Sequence, residues 1–292
     1  MNSPLGTDTG PIIVGIDGSA PSDAALEWAV DEATHRHAPL HLLHSRGEEG
    51  WFGRTEEPDL ADARRRQSTV LTTRMSRARQ LAPELDLTSS ISARTAAAAL
   101  LERSRGATLM VLGGHSSDTV RRVLLGSVAR QVAAHSPCPV VVVPDDSYRR
   151  PEHSGVVVGV DGSPGSAMAL EFAFAHAADH EAELTAVHAL WPGAGESVRR
   201  RPSEDEQAKD LLTDAVASLR AKFPEVRVRE QIAQARAVDA LVDLSATAEL
   251  LVIGSRGAGG FRGLLLGSVG HRVLQHAHCP VAVVPSPRTV SW

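Results

Sequence analysis

Leu250-Leu251-Val252-Ile253-Gly254-Ser255-Arg256-Gly257, followed after nine residues by Gly267-Ser268-Val269, sets the architecture of this chain. Apolar residues run into a bend that holds five glycines between positions 254 and 263, and from Ser268 the apolar positions Val269, Val273 and Leu274 return at helical spacing. The pattern is a strand, a loop and a helix. Glycine lets backbone N–H groups converge because no side chain stands in front of them, and the free N–H groups and dipole of the following helix favour negative charge. An anion such as phosphate suits the bend. A tight turn that uses glycine only to reverse the chain has the same composition, so a second occurrence carries more weight than the motif alone.

That second occurrence lies in the first half. Residues 112–144 align with 253–285 without a gap, and 15 of the 33 positions are identical. Upstream, Pro-Ile-Ile-Val-Gly-Ile-Asp at 11–17 reads as a buried strand that ends in Asp17-Gly18-Ser19. Ser22 is the expected cap of a helix whose apolar face holds Ala25, Leu26, Ala29, Val30 and Ala33. Strands are then expected at 40–45, 87–93, 109–113 and 140–143, with helices at 60–81, 95–104 and 127–135 between them. The second half repeats the order, with strands at 156–161, 183–190, 226–233, 250–254 and 281–284. Alternating strands and helices at this spacing give parallel βαβ units with right-handed crossovers. The expected fold is α/β: two tandem, doubly wound, Rossmann-like parallel-sheet domains of five strands each, at 9–145 and 154–286, joined by a charged segment that contains Pro151.

A length of 292 residues accommodates two such domains, each large enough to bury its own core. With 42% hydrophobic and 22% charged residues, the composition is that of a globular chain rather than a disordered or fibrous one. The net charge of −5 and the presence of only two lysines, Lys209 and Lys222, argue against nucleic acid and membrane surfaces as partners. The arginine triplets at 64–66 and 199–201 read as solvated faces. Residues 1–10 have no charged start followed by an apolar core, so no signal peptide is expected, and no apolar run approaches a membrane span. The expected location is cytoplasmic. Cys138 and Cys279 each precede a proline and a valine-rich strand, the place of a small packing residue rather than of a redox pair.

In an open parallel sheet a ligand sits at the carboxyl ends of the strands, near the point where strand order reverses. Three features of the second half fall there: Asp161-Gly162-Ser163, Ala189, and the bend from Gly254 to Ser268. A carboxylate and a phosphate cradle on neighbouring strand ends suit a nucleotide. Asp161 also reads as a turn or cap aspartate, but Asp17 recurs in the same Gly-x-Asp-Gly-Ser setting. The thirteen histidines do not form a metal site by spacing. His41 and His44 point to opposite sides of a strand, and His176 and His180 share a helix face without the glutamate of a zinc-protease motif. His44 and His188, equivalent in the repeat, read as satisfied core histidines.

On these residues the chain resembles a tandem universal stress protein. ATP-binding members of that family carry Gly-x2-Gly-x9-Gly-Ser/Thr, which Gly254, Gly257, Gly267 and Ser268 satisfy in full, and the resemblance extends over nearly the whole chain. It implies that Asp161 and the backbone near Ala189 contact adenosine, while Gly254, Gly257, Gly267, Ser268 and Val269 line ribose and phosphates. The residues carried over in the first half are Asp17, Ser45, Gly113, Gly126, Ser127 and Val128. There Ser116 stands where the motif has glycine, which on the reasoning that serine disfavours positive φ makes the first site the weaker. The implied ligand is ATP, with Mg2+ accompanying it.

A Walker loop is excluded because no lysine follows a glycine cluster, and a dinucleotide fingerprint fails because Gly15 and Gly18 flank an aspartate. The His-x-Gly-His signature of adenylyl transferases does not occur. The expectation is therefore a nucleotide-responsive regulatory module in stress response, not a turnover enzyme, acting on an unidentified protein partner. The resemblance also implies pairing of the last strands, 140–143 and 281–284, as in the family's dimers, and leaves a homodimer of two such chains open. The alternatives are an adapter whose nucleotide pocket is vestigial and a slow ATPase.

Overall fold

A run of β-branched residues makes β1 (Ile12–Ile16) a buried strand, and Gly18, with φ +87°, turns the chain out of it. Helix α1 (Ala20–Arg36) starts at once, capped by Ser19, whose Oγ accepts the Ser22 N–H at 3.4 Å. Ser22, the expected cap, lies inside the first turn, where its hydroxyl donates to the Ser19 carbonyl at 3.0 Å. The serine that leaves the strand in extended conformation is the one free to cap. Ser163 plays the same part for α5 (Pro164–Asp179), accepting the Ser166 N–H at 3.1 Å after Gly162 turns with φ +77°.

The structure, a computed structural model, describes residues 10–45, 60–114, 125–144, 154–191, 202–258 and 266–286. Side chains in the helices that begin at 60 and 202 are described from 68 and 205 onward. The expectations for Ser116 and for the side chains of the arginine triplets lie outside the described residues.

The chain divides into two units, within residues 6–146 and 147–292. In the first, β1 is followed by β2 (Leu40–Ser45), α2 (Leu60–Leu81), β3 (Leu87–Ser92), α3 (Ala96–Arg103), β4 (Leu109–Gly113), α4 (Ser127–His135) and β5 (Val140–Val143). Its strands are parallel in the order β3-β2-β1-β4-β5. In the second, β6 (Val156–Gly159) and α5 are followed by β7 (Leu184–Ala189), α6 (Pro202–Lys222), β8 (Val228–Ala233), α7 (Ala237–Ser245), β9 (Leu250–Gly254), α8 (Ser268–His276) and β10 (Val281–Val284). Its order, β8-β7-β6-β9-β10, is the same and again parallel. Both units are the expected doubly wound α/β fold, with order reversing between β1 and β4 and between β6 and β9.

Each sheet is covered on both faces, as a parallel sheet must be. In the first unit α1 and α2 pack together on one side while α3 and α4 pack together on the other; α5 with α6, and α7 with α8, repeat this in the second. The strands at the centre are therefore continuous apolar runs: Leu109 to Val111 and Leu250 to Val252 are fully buried. Phe174 and Phe223, rings 5.7 Å apart, fill the second core. Among the described residues no helix is long and apolar enough to cross a membrane.

Candidate functional site

At the carboxyl ends of β6, β7 and β9 the second unit opens a cavity of about 410 Å³. All seven residues named from the sequence line it: Asp161, Ala189, Gly254, Gly257, Gly267, Ser268 and Val269. The first unit has a counterpart of about 310 Å³, lined by Asp17, Ser45, Gly113, Gly126, Ser127 and Val128. Both lie where strand order reverses, the crevice this fold offers to a ligand.

The glycines of the motif have separable reasons. Gly254 ends β9 against the start of α5, where an added Cβ would lie 2.7 Å from the Gly165 carbonyl carbon. Gly113 meets Pro21 in the same way, at 2.6 Å from its carbonyl carbon. These two glycines admit a helix start against a strand end, and both also line the cavities. Gly257 does not have positive φ, contrary to the expectation that this position of the motif needs glycine for that conformation. A Cβ there would instead fall on Asp161 Oδ2. Gly267 and Gly126 are the N-caps of α8 and α4, and neither supplies a side-chain cap. Among the described residues no side chain caps the first turn of either helix, where the helix dipole favours an anionic acceptor.

The two aspartates stand directly after β1 and β6. Asp17 Oδ1 accepts the Ser19 N–H at 2.9 Å and its hydroxyl at 2.6 Å. Asp161 Oδ1 accepts the Ser163 N–H at 3.0 Å, and its Oδ2 accepts the Ala258 N–H at 2.8 Å. Burial pushes both pKa values up, but the hydrogen bonds outweigh it and hold both below the ordinary carboxylate value. Both are ionised at neutral pH. Arg256 adds a cation to the lining of the second cavity.

Ala189 and Ser45 are the last residues of β7 and β2. The Ser45 hydroxyl donates to the Arg94 carbonyl across the neighbouring strand end. His44 and His188 occupy equivalent places and donate Nδ1–H to the Ile16 and Val160 carbonyls at 2.6 and 2.8 Å; His44 is buried as expected of a core residue, whereas His188 is half-buried and lines the second cavity. His41 lies within 2.8 Å of both the Thr88 and Ser90 hydroxyls; burial first, then the Arg103 charge, lower its pKa.

Sequence reasoning missed the wall contributed by α7 and α3. Ala237 and Leu241 line the second cavity, and Ala96 and Leu100 the first. The i, i+4 spacing at each helix start was the available signal, shared with every helix that faces a core.

Two doubly wound parallel units, each with a glycine-lined cavity at its switch point, define a tandem α/β protein. A family model described as the universal stress protein family matches residues 9–144 and 154–285. A universal stress protein of Mycolicibacterium smegmatis is 33% identical over 287 residues, covering 94% of this chain and 96% of its own. One from Mycobacterium tuberculosis is 33% identical over 297 residues, covering 97% of each. In fold, the crystal structure of a universal stress protein from Archaeoglobus fulgidus matches with a TM-score of 0.71 at 18% identity, over 96% of this chain and 99% of that one. The chain belongs to the universal stress protein family, whose domain it carries twice.

Proposed function

We propose that the protein is an ATP-binding regulatory module in which binding, rather than turnover, is the functional event. The observation that carries this reading is the convergence of Asp161, Ala189 and the glycine motif on one cavity that ends at an uncapped helix N-terminus. The triphosphate lies toward Gly267, Ser268 and Arg256, where N–H groups and a guanidinium meet negative charge. The nucleoside lies toward Ala189 and the apolar wall of Leu241 and Val187. The cavity fits the ligand in size, since a pocket of several hundred Å³ takes a nucleotide. Mg2+ travels with the phosphates, because Asp161 already accepts backbone N–H groups on both oxygens. A carboxylate with a lowered pKa is a weak general base, which favours binding over hydrolysis.

Bound ATP shifts the population of the surface around the bend and so alters contact with a regulatory protein partner. Protein purified without added nucleotide and then denatured should release an adenine absorbance, and the folded protein should turn over ATP far more slowly than about 1 per second. Absence of released nucleotide together with no rise in melting temperature on adding ATP and Mg2+ contradicts the reading. Turnover at ordinary enzymatic rates contradicts its regulatory half.

A further inference from the structure

The Asp161 carboxylate faces a cavity proposed here for an anion, an adverse placement unless its charge is engaged. Oδ1 serves the turn it stands in, as Asp17 Oδ1 does in the first unit. Oδ2 does something else: it accepts the N–H of Ala258, 97 residues along the chain, at 2.8 Å. The residue before Ala258 is Gly257, where a Cβ would collide with that same oxygen. Gly257 lacks positive φ, so its backbone conformation does not require glycine. The requirement comes from the carboxylate. A charge-assisted bond to a backbone N–H is among the stronger hydrogen bonds and fixes direction as well as distance.

We propose that Asp161 is a positioning residue for the glycine bend, holding Gly257-Ala258 at the cavity through the Ala258 N–H, and that position 257 is glycine to admit this carboxylate. The Gly257-Ala258 start of the bend is thereby set before any ligand arrives, and these two residues do not have to be ordered on binding. The first unit's sequence has Ser116 at the matching position, so a copy of this arrangement around Asp17 meets a side chain where the second unit has none. The consequence for ligands rests on the ATP reading, whereas the geometry of the strut does not.

The full chain, Asp161→Asn, Asp161→Ala and Gly257→Ser are compared by two measurements. The first is hydrogen exchange at the Ala258 amide without nucleotide. The second is the dissociation constant at the second site for ATP and for inorganic tripolyphosphate, each with Mg2+. Exchange at Ala258 should rise about 10-fold or more in Asp161→Ala and Gly257→Ser, with Asp161→Asn between them and the parent, since its one acceptor oxygen cannot serve both N–H groups. ATP and tripolyphosphate should weaken by similar factors of about 10, because both depend on where the bend stands. Unchanged exchange at Ala258 in folded Asp161→Ala overturns the proposal. So does loss of ATP affinity with tripolyphosphate affinity intact, the signature of an aspartate that only grips the nucleoside. If Asp161→Ala fails to fold, Asp161→Asn and Gly257→Ser decide by the same criteria. If the parent binds neither ligand, the ATP reading falls and the exchange result still decides the strut.

Discussion

The two units share strand order, cap serines, strand-end aspartates and uncapped helix starts, yet they hold the turn after the first strand by different means. In the first unit the Arg74 guanidinium reaches across from α2, bonding the Gly18 carbonyl at 3.1 Å and pairing with Asp23 at 2.8 Å. In the second, Leu211 of α6 packs over Gly162 as Val70 of α2 packs over Gly18 in the first, so the Arg74 bonds are what the first unit adds. Each aspartate engages the serine of its own turn, Asp17 with Ser19 and Asp161 with Ser163, and Asp161 also reaches the glycine bend, whose counterpart in the first unit lies outside the described residues. A duplicated backbone therefore fixes where a pocket lies, and the side chains around each copy set how firmly its loops are held.

The comparison can be broken most sharply at the cysteines, one buried in each unit. Burial pushes the Cys138 thiol up to about 11 and the Cys279 thiol up to about 12. The thiolate is the reactive form, so both should label roughly 100-fold or more slowly than a free cysteine at neutral pH. Labelling then reports the opening of each unit separately, read by peptide mass. Rapid labelling of either cysteine in native protein would contradict its burial. Equal protection would show the two cores equally closed.

A smaller effect is expected at the paired glycines. Gly113→Ala and Gly254→Ala each place a Cβ against backbone atoms that no side-chain rotation can clear, and each should destabilise its own unit by about 1–3 kcal/mol. Denaturant unfolding followed by the two cysteines assigns the loss to a unit. A neutral Gly254→Ala would mean that the close approach of β9 to α5 is not a constraint.

Much of this was legible beforehand because it is local. Strand positions followed from β-branched runs, and the repeat tied Asp17 to Asp161 and Gly113 to Gly254. The residues named from the motif line two cavities, seven in one and six in the other. What the sequence hid is non-local. The reason for glycine at 257 is a carboxylate from the other end of the unit, which no reading of the bend itself contains. The walls from Leu241 and Leu100 depend on helix placement. The cap passed from Ser22 to Ser19 because two serines three residues apart compete, and the strand exit decides between them.

The central claim is that backbone amides of the glycine bend and of the α8 start receive the phosphates of ATP. Calorimetric titration of the full chain with ATP and Mg2+, set beside Gly257→Asp, tests it most directly. The account predicts heat of binding in the parent and loss of about 100-fold or more in affinity at the second site of the variant, whose new carboxylate confronts both Asp161 and the phosphates. No heat in the parent, or equal affinity in the two proteins, would contradict it.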